Sequence, residues 1–161
     1  MRILGIDPGY AIVGWGIVDY QSNRFAVVDY GSITTNAHTS FPSRLATIYT
    51  DLVEIINHYK PDTLSIEKLF FNDNAKTAID VSQARGVILL AAQQNGLSIS
   101  EYTPLQVKSA IVGYGRAEKA QVQEMTRIML KLKSIPKPDD AADALGLAIC
   151  HGTSSGSLLK E

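Results

Sequence analysis

Apolar residues recur first with the period of strands and later with that of helices, which predicts a mixed α/β fold. Residues 2–7 form a short apolar run that ends in Asp7 and is followed by a Pro-Gly turn. Because both faces of this run are apolar, we expect a buried central strand. Asp7 then lies at the carboxyl end of the strand, where open α/β sheets bind their ligands. Alternatively, Asp7 only caps the turn through the backbone of Gly9.

The next segments predict a meander and then a crossover. Residues 11–20 and 25–33 are rich in β-forming residues and are joined by short turns, which is typical of antiparallel strands. Residues 42–59 have helical periodicity, and a short strand at 63–67 follows. Since a helix connects them, this fourth strand can lie parallel to the first. It ends in Glu67, as the first strand ends in Asp7.

The second half predicts a further strand and four helices. The helix at 75–94 carries few charges, which indicates that it is buried or shared with a second subunit. A fifth strand at 97–102 precedes two helices that are separated by a turn at 113–116, and the last helix runs from Asp139 to about His151. We therefore predict one domain at 1–151 and a flexible polar tail at 152–161.

Composition places the chain among globular proteins of one domain. It has 161 residues, of which 45% are hydrophobic and 19% are charged. The single Cys150 cannot form an internal disulfide, which suits a reducing compartment. The chain starts without a secretory signal and has no apolar run long enough to cross a membrane. We expect a cytoplasmic protein.

Charge is distributed unevenly along the chain. The net charge is −1, yet residues 102–137 alone carry +5. Lys108, Arg116 and Lys119 belong to this basic segment. Such a segment is either a phosphate-binding face or a solvated helix surface, and charge alone does not decide between them.

Two more carboxylates of interest lie at the start of the last helix. Asp140 and Asp143 are three residues apart and so share one helix face, among small alanines. Acidic residues in a first turn can simply favour the helix dipole. Together with Asp7 and Glu67, however, they make four carboxylates with a charge of −4, which two Mg²⁺ ions would balance. The sequence has no Cys/His cluster that would suggest zinc.

The ordered motifs resemble those of a known family. The chain is similar to the RuvC-type Holliday-junction resolvases, within the ribonuclease H-like superfamily, from Arg2 to about His151. The resemblance implies a ribonuclease H-like α/β fold whose five-stranded mixed sheet, three strands antiparallel and two parallel, is flanked by helices. It rests on these motifs: Gly5-Ile6-Asp7-Pro8-Gly9, Ile66-Glu67 followed by Phe70, Gln83-Ala84-Arg85-Gly86, Gln106-Val107-Lys108, Gly113, Ala117-Glu118-Lys119, Gln121-Val122 and Asp140-Ala141-Ala142-Asp143-Ala144-Leu145.

The resemblance also implies an activity. It predicts a homodimeric endonuclease that uses Mg²⁺ or Mn²⁺ to nick two opposed strands of a four-way DNA junction, in recombination and repair. The family's partner is the RuvA–RuvB branch-migration complex. The implied metal ligands, which are also catalytic residues, are Asp7, Glu67, Asp140 and Asp143. Lys119 is an implied catalytic residue as well, and the implied DNA-binding residues are Phe70, Lys108, Arg116 and Lys119.

The expected mechanism is metal-assisted hydrolysis of a phosphodiester. One ion would activate water and a second would stabilise the leaving 3′ oxygen, giving a 5′ phosphate and a 3′ hydroxyl. Lys119 would add positive charge where the transition state becomes more negative. The neighbouring Asp139 could be mistaken for the third ligand, but helical phase favours Asp140 with Asp143.

The sequence leaves two alternatives open and argues against a third. The chain could be a ribonuclease H-like nuclease that acts on structured RNA, or a structure-specific DNA-binding protein whose acids are only caps and surface residues. An actin-like ATPase also begins with Asp and Gly after a strand. The chain is too short for the two lobes of such an ATPase and lacks its second Gly-rich phosphate loop.

Overall fold

The computed structural model describes residues 1–69 and 75–158. Within them, five strands and five helices follow one another in the predicted order. The elements are β1 (Arg2–Asp7), β2 (Ile12–Gln21), β3 (Arg24–Thr34), α1 (Phe41–Tyr59), β4 (Thr63–Glu67), α2 (Ala75–Gln94), β5 (Ser98–Tyr102), α3 (Pro104–Val112), α4 (Lys119–Met129) and α5 (Asp139–Leu158).

The strands form one mixed sheet in the order β3-β2-β1-β4-β5. The first three strands pair antiparallel, and β4 and β5 each lie parallel to their neighbour. The predicted meander, crossover and mixed sheet are therefore confirmed. In this order β1 is central, and its four middle residues are buried, as its apolar faces predicted.

Helices cover the sheet on both faces, which gives two hydrophobic cores. Leu4 and Ile6 of β1 point into a core shared with α1 and α2. Ile3 points to the other face, into a core with α3, α4 and α5. Asp7 has the same parity as Ile3, so the strand alternation directs it toward α5.

Glycines allow α5 to lie unusually close to the sheet. A Cβ atom on Gly5 would overlap the backbone oxygen of Ala144, and one on Gly14 would overlap that of Asp140. The Ser65 hydroxyl also donates to the Leu147 carbonyl of α5 at 2.7 Å, a buried bond. Since Gly14 pairs with Asp7 in the sheet, its missing side chain leaves the space in which α5 begins beside Asp7.

The last helix is longer than predicted. We expected it to end near His151, but α5 continues to Leu158. A Cβ on Gly152 would overlap the ring of Phe25, and a Cβ on Gly156 would overlap the hydroxyl of Tyr20. The polar Gly/Ser composition of this segment therefore reflects packing against the β2–β3 hairpin. The division into a domain at 1–151 and a flexible tail at 152–161 stays a prediction. No helix in the described ranges is long and apolar enough to span a membrane.

Substituting Gly5 with alanine tests the close approach of α5. The added methyl has to displace the α5 backbone, so we expect Gly5→Ala to lower the free energy of unfolding by about 1–3 kcal/mol. Urea unfolding followed by circular dichroism measures this loss. A variant as stable as the parent protein would contradict the close packing.

Candidate active site at the carboxyl edge of the sheet

The four candidate carboxylates meet at one edge of the sheet. Ile6 and Ile66 are the last paired residues of β1 and β4, so Asp7 and Glu67 follow at the carboxyl ends of neighbouring strands. The first turns of α5 bring Asp140 and Asp143 to the same place. Three distant segments of the chain thus supply one acidic cluster.

Asp7 is the most strongly perturbed member of the cluster. Burial, followed by the negative charges of Asp143, Glu67 and Asp140, raises the pKa of Asp7 to about 8. A hydrogen bond with Asp140 adds to the rise. Such a shift means that the protein lacks enough positive charge nearby to stabilise the ionised form of Asp7.

Glu67 and Asp143 show the same trend. Burial is the main cause that raises the pKa of each carboxyl, and the negative charge of Asp143 raises the pKa of Glu67 further. Lys108 opposes the rise at Glu67, and Lys119 opposes it at Asp143. The two lysines therefore offset only part of the excess negative charge of the cluster. The pKa values of Glu67 and Asp143 stay raised because burial and the remaining negative charge still favour the protonated carboxyls.

Asp139 and Asp140 occupy different surroundings. The Asp139 carboxylate lies 3.3 Å from the ammonium of Lys137 and 3.4 Å from that of Lys119. Hydrogen bonds from Lys137 and then Lys119 lower the pKa of Asp139. Asp140 instead faces Asp7. Of the two neighbours, Asp140 is the one that the fold places within the carboxylate cluster.

Lys119 is the cation in closest contact with the cluster. Its ammonium lies 3.8 Å from the Asp143 carboxylate, and the charge of Asp143 is the main cause that raises the pKa of Lys119. Arg116 lies exposed in the turn between α3 and α4. Phe70, the predicted base contact, lies outside the described residues.

A cleft of about 250 Å³ opens beside the cluster, between α3, α4 and α5. Its lining includes Lys108, Lys119 and Asp143, together with Gln123 and Thr126. The buried Nε2 of Gln123 and Oγ1 of Thr126 have no hydrogen-bond partner within the described residues. Sequence reasoning missed these two polar residues, although they follow Lys119 by four and seven positions on one face of α4.

The donor chemistry of the cluster fits a hard divalent cation. As the side chains stand, no three acidic, histidine or cysteine residues in the described ranges are arranged to hold a metal ion. The oxygen donors and the excess negative charge are nevertheless those that Mg²⁺ and Mn²⁺ require. Cys150 is buried in α5, and His151 Nδ1 is hydrogen-bonded to the Tyr102 hydroxyl at 2.7 Å, so neither joins the cluster.

Comparison with known proteins gives the family. A family model described as "Crossover junction endodeoxyribonuclease RuvC" matches residues 3–151. The chain belongs to the RuvC family. A RuvC of that description from Ruminiclostridium cellulolyticum is 58% identical over 161 residues, which cover 99% of this chain and 97% of that protein.

Solved RuvC structures share the fold over nearly the whole chain. The RuvC structure from Thermus thermophilus is 31% identical with a TM-score of 0.91, covering 98% of this chain and 96% of that one. A second, T. thermophilus RuvC in complex with a Holliday junction substrate, is 28% identical with a TM-score of 0.90 at the same coverage. The predicted ribonuclease H-like fold is confirmed, and a RuvC family member is an endonuclease.

The raised pKa of Asp7 predicts how the stability of this protein depends on pH. The folded-state pKa of about 8 lies above the ordinary 3.8, so the folded state binds more protons than the unfolded chain between these values. Without divalent ions, stability is therefore expected to fall as the pH rises through this window. Replacing Asp7 with asparagine removes the ionised carboxylate and should stabilise the fold at pH 8 by up to about 5 kcal/mol, and by much less at pH 4.

Urea unfolding in EDTA at the two pH values measures this difference. The matched control is Asp139→Asn on the same acidic helix, because the pKa of Asp139 is lowered and its loss should bring no gain at high pH. Equal pH profiles for the parent protein and Asp7→Asn would contradict the electrostatic account of the cluster.

Proposed function

We propose that this chain resolves four-way (Holliday) DNA junctions by paired, symmetric nicks, as a divalent-metal-dependent endodeoxyribonuclease. The observation that carries the proposal is the meeting of four carboxylates beside Lys108 and Lys119 in a chain of the RuvC family. The Thermus RuvC that binds a Holliday junction shares this fold, which supports the same class of substrate here.

We assign metal binding to Asp7, Glu67, Asp140 and Asp143. The raised pKa values of Asp7, Glu67 and Asp143 support this assignment, since bound cations would relieve the repulsion between these carboxylates. Four carboxylates match the charge of two Mg²⁺ ions, and Mn²⁺ has similar ligand preferences. When bound, such ions supply a more acidic attacking water and stabilise negative charge on the leaving oxygen.

The side chains around the carboxylates orient the DNA strand. Lys119 lies close enough to Asp143 to place positive charge at a phosphate held by the same site, where negative charge develops during hydrolysis. Lys108 supplies positive charge near Glu67, where it lowers the pKa of that carboxyl. Hydrolysis of the phosphodiester at the 3′ oxygen leaves a 5′ phosphate and a 3′ hydroxyl, which a ligase can rejoin.

The wider DNA surface follows the basic segment. Lys108 and Lys119 line the cleft, and Arg116 is exposed in the neighbouring turn, so a phosphate backbone can run along α3 and α4. We assign base stacking at the junction centre to Phe70, which follows Glu67 in the chain. Cleavage of junctions by Phe70→Ala at the parent rate would remove that role.

We assign dimerisation to the outer face of α2. Ile79 and Leu90 are exposed there to 58% and 51%, with Gly86 between them on the same face. A Cβ on Gly86 would meet no atom within 4 Å, so no neighbour among residues 1–69 and 75–158 explains a helix-weakening glycine. Close approach of a second copy explains it, and two copies provide the two active sites that paired nicks require.

Family membership supports the remaining assignments. We propose that the enzyme acts in homologous recombination and DNA repair, in the cytoplasm, and together with the RuvA–RuvB branch-migration complex.

Nicking of a synthetic four-way junction tests the activity. With Mg²⁺, the parent protein should make symmetric paired nicks, and Asp7→Asn should nick more than about a hundredfold more slowly, because a direct metal ligand is lost. Junction binding in EDTA should be kept. Glu54→Gln on the exposed side of α1 is the control for loss of an acid elsewhere and should nick at the parent rate.

Other outcomes would favour the alternatives. Tight junction binding by the parent protein without any nicking would indicate a DNA-binding protein. Faster cleavage of hairpin RNA than of junction DNA would indicate a structured-RNA nuclease. Nicks that persist in Asp7→Asn would contradict the assigned site.

Sedimentation tests the dimer. Gly86→Gln introduces a good helix former with a long side chain, so the helix itself should not be weakened while close helix packing is blocked. We expect a dimer at micromolar concentration for the parent protein and a Kd at least about tenfold higher for the variant, a change of about 1.4 kcal/mol. Ala120→Gln, at an exposed position of α4, is the matched control. A monomeric parent protein would overturn the proposal.

A further inference from the structure

Arg85 links helix α2 to the end of strand β4. Its Nε donates to the backbone oxygen of Glu67 at 3.3 Å, and its Nη2 donates to the Glu101 carboxylate of β5 at 2.8 Å. The Arg85 side chain is only 12% exposed, whereas that of Glu101 is 43% exposed. One guanidinium thus joins a helix and the ends of two strands at the edge where the carboxylates gather.

Arg85 reaches Glu67 from the face of the sheet opposite to the acidic cluster. Ser65, two residues before Glu67, bonds to α5, so the strand alternation directs the Glu67 side chain to the α5 face. Ile66 packs on the other face, with residues of α2. Glu101 pairs with Ile66 and shares its face. Arg85 therefore contacts the backbone of Glu67 and not its carboxylate.

The electrostatics agree with this geometry. The positive charge that lowers the pKa of Glu67 comes from Lys108. Arg85 does not act as a counter-ion of the cluster, and DNA at the α5 face would not meet it. Its contribution is to the placement of the Glu67 backbone.

Glu67 needs such a contact because it lies where the sheet pairing ends. The pairing of β4 with β1 stops at Ile66, one residue earlier, while on the other side Glu67 pairs with Tyr102 of β5. The next backbone amide, that of Lys68, donates to the Tyr102 oxygen at 2.8 Å. Glu67 has no paired residue in β1, and its backbone oxygen accepts a hydrogen bond from Arg85 instead.

We propose that Arg85 is a positioning residue that fixes the end of β4 and thereby holds Glu67 in place for metal binding and DNA cleavage. This inference rests on the proposed function. Because α2 also carries the proposed dimer face on its outer side, the same helix joins the subunit interface to one metal ligand. Loss of a residue that supports a ligand typically weakens metal affinity or activity by 10–100-fold.

The test compares metal binding by the parent protein, Arg85→Met, Glu101→Gln and the control Arg2→Met. Arg2 is matched because its guanidinium also joins a carboxylate, that of Asp19, to a backbone oxygen, that of Tyr59, at the opposite end of the sheet. Mn²⁺ titrations followed by electron paramagnetic resonance, without DNA, give the binding midpoint. Urea unfolding, sedimentation and single-turnover nicking of a four-way junction complete the comparison.

We expect Arg85→Met to raise the Mn²⁺ midpoint about tenfold, and high Mn²⁺ to restore part of its nicking rate. Dimerisation and junction binding in EDTA should stay at parent values. Glu101→Gln should give a smaller rise, since Arg85 keeps its bond to Glu67 but loses its anchor. Arg2→Met should lower stability without moving the midpoint.

The possible failures are distinguishable. A parent Mn²⁺ midpoint in Arg85→Met would overturn the inference, as would equal midpoint shifts in Arg85→Met and Arg2→Met. If Arg85→Met does not fold, Glu101→Gln decides, and an unchanged midpoint in that variant overturns the inference. A parent protein that neither binds Mn²⁺ nor nicks junctions would overturn the proposed function, and this inference with it.

Discussion

The rest of the structure depends on one constraint, which is the burial of Asp7 among other carboxylates. Like charges at the carboxyl ends of β1 and β4 repel, and burial strengthens the repulsion. The fold tolerates this because sheet register fixes Asp7 and Glu67, and because Gly14 lets α5 begin directly above the sheet. Packing energy elsewhere in the two cores thus holds together a site that is unfavourable by itself.

The lysines near this cluster contact some of the neighbouring carboxylates and not others. Lys119 and Lys137 both contact Asp139, while Asp140 is left facing Asp7. A carboxylate outside the cluster therefore takes up positive charge that could otherwise neutralise the site. The cluster therefore keeps an excess of negative charge, and Lys119 remains beside it in the cleft.

Much of the fold could be predicted because its signals are local. The periodicities gave β4 and α2 their bounds, and Thr103 and Pro104 marked the start of α3 by capping. The end of α5 could not be predicted in this way, since Gly152 and Gly156 are explained only by the rings of the β2–β3 hairpin. Local propensity favoured an earlier end of the helix, and packing against this hairpin accompanies its extension to Leu158.

The acidic residues of the site could be predicted from the sequence. The residues that surround and support them were harder to predict. Asp7 and Glu67 stand out because each ends a short apolar strand, and Asp140 was favoured over Asp139 by helical phase. Ligand roles for these residues stay predictions. The positions of Gln123, Thr126 and Arg85 in the structure could not be predicted, because they depend on contacts between elements far apart in the sequence.

The position of α5 at the end of the chain has a consequence for protein synthesis. A ribosome makes Asp7 and Glu67 long before Asp140 and Asp143, and the acidic cluster is complete only when α5 docks on Gly5 and Gly14. A nascent or truncated chain therefore presents half of the carboxylates and no closed site. The complete acidic cluster therefore forms only when the last helix is in place.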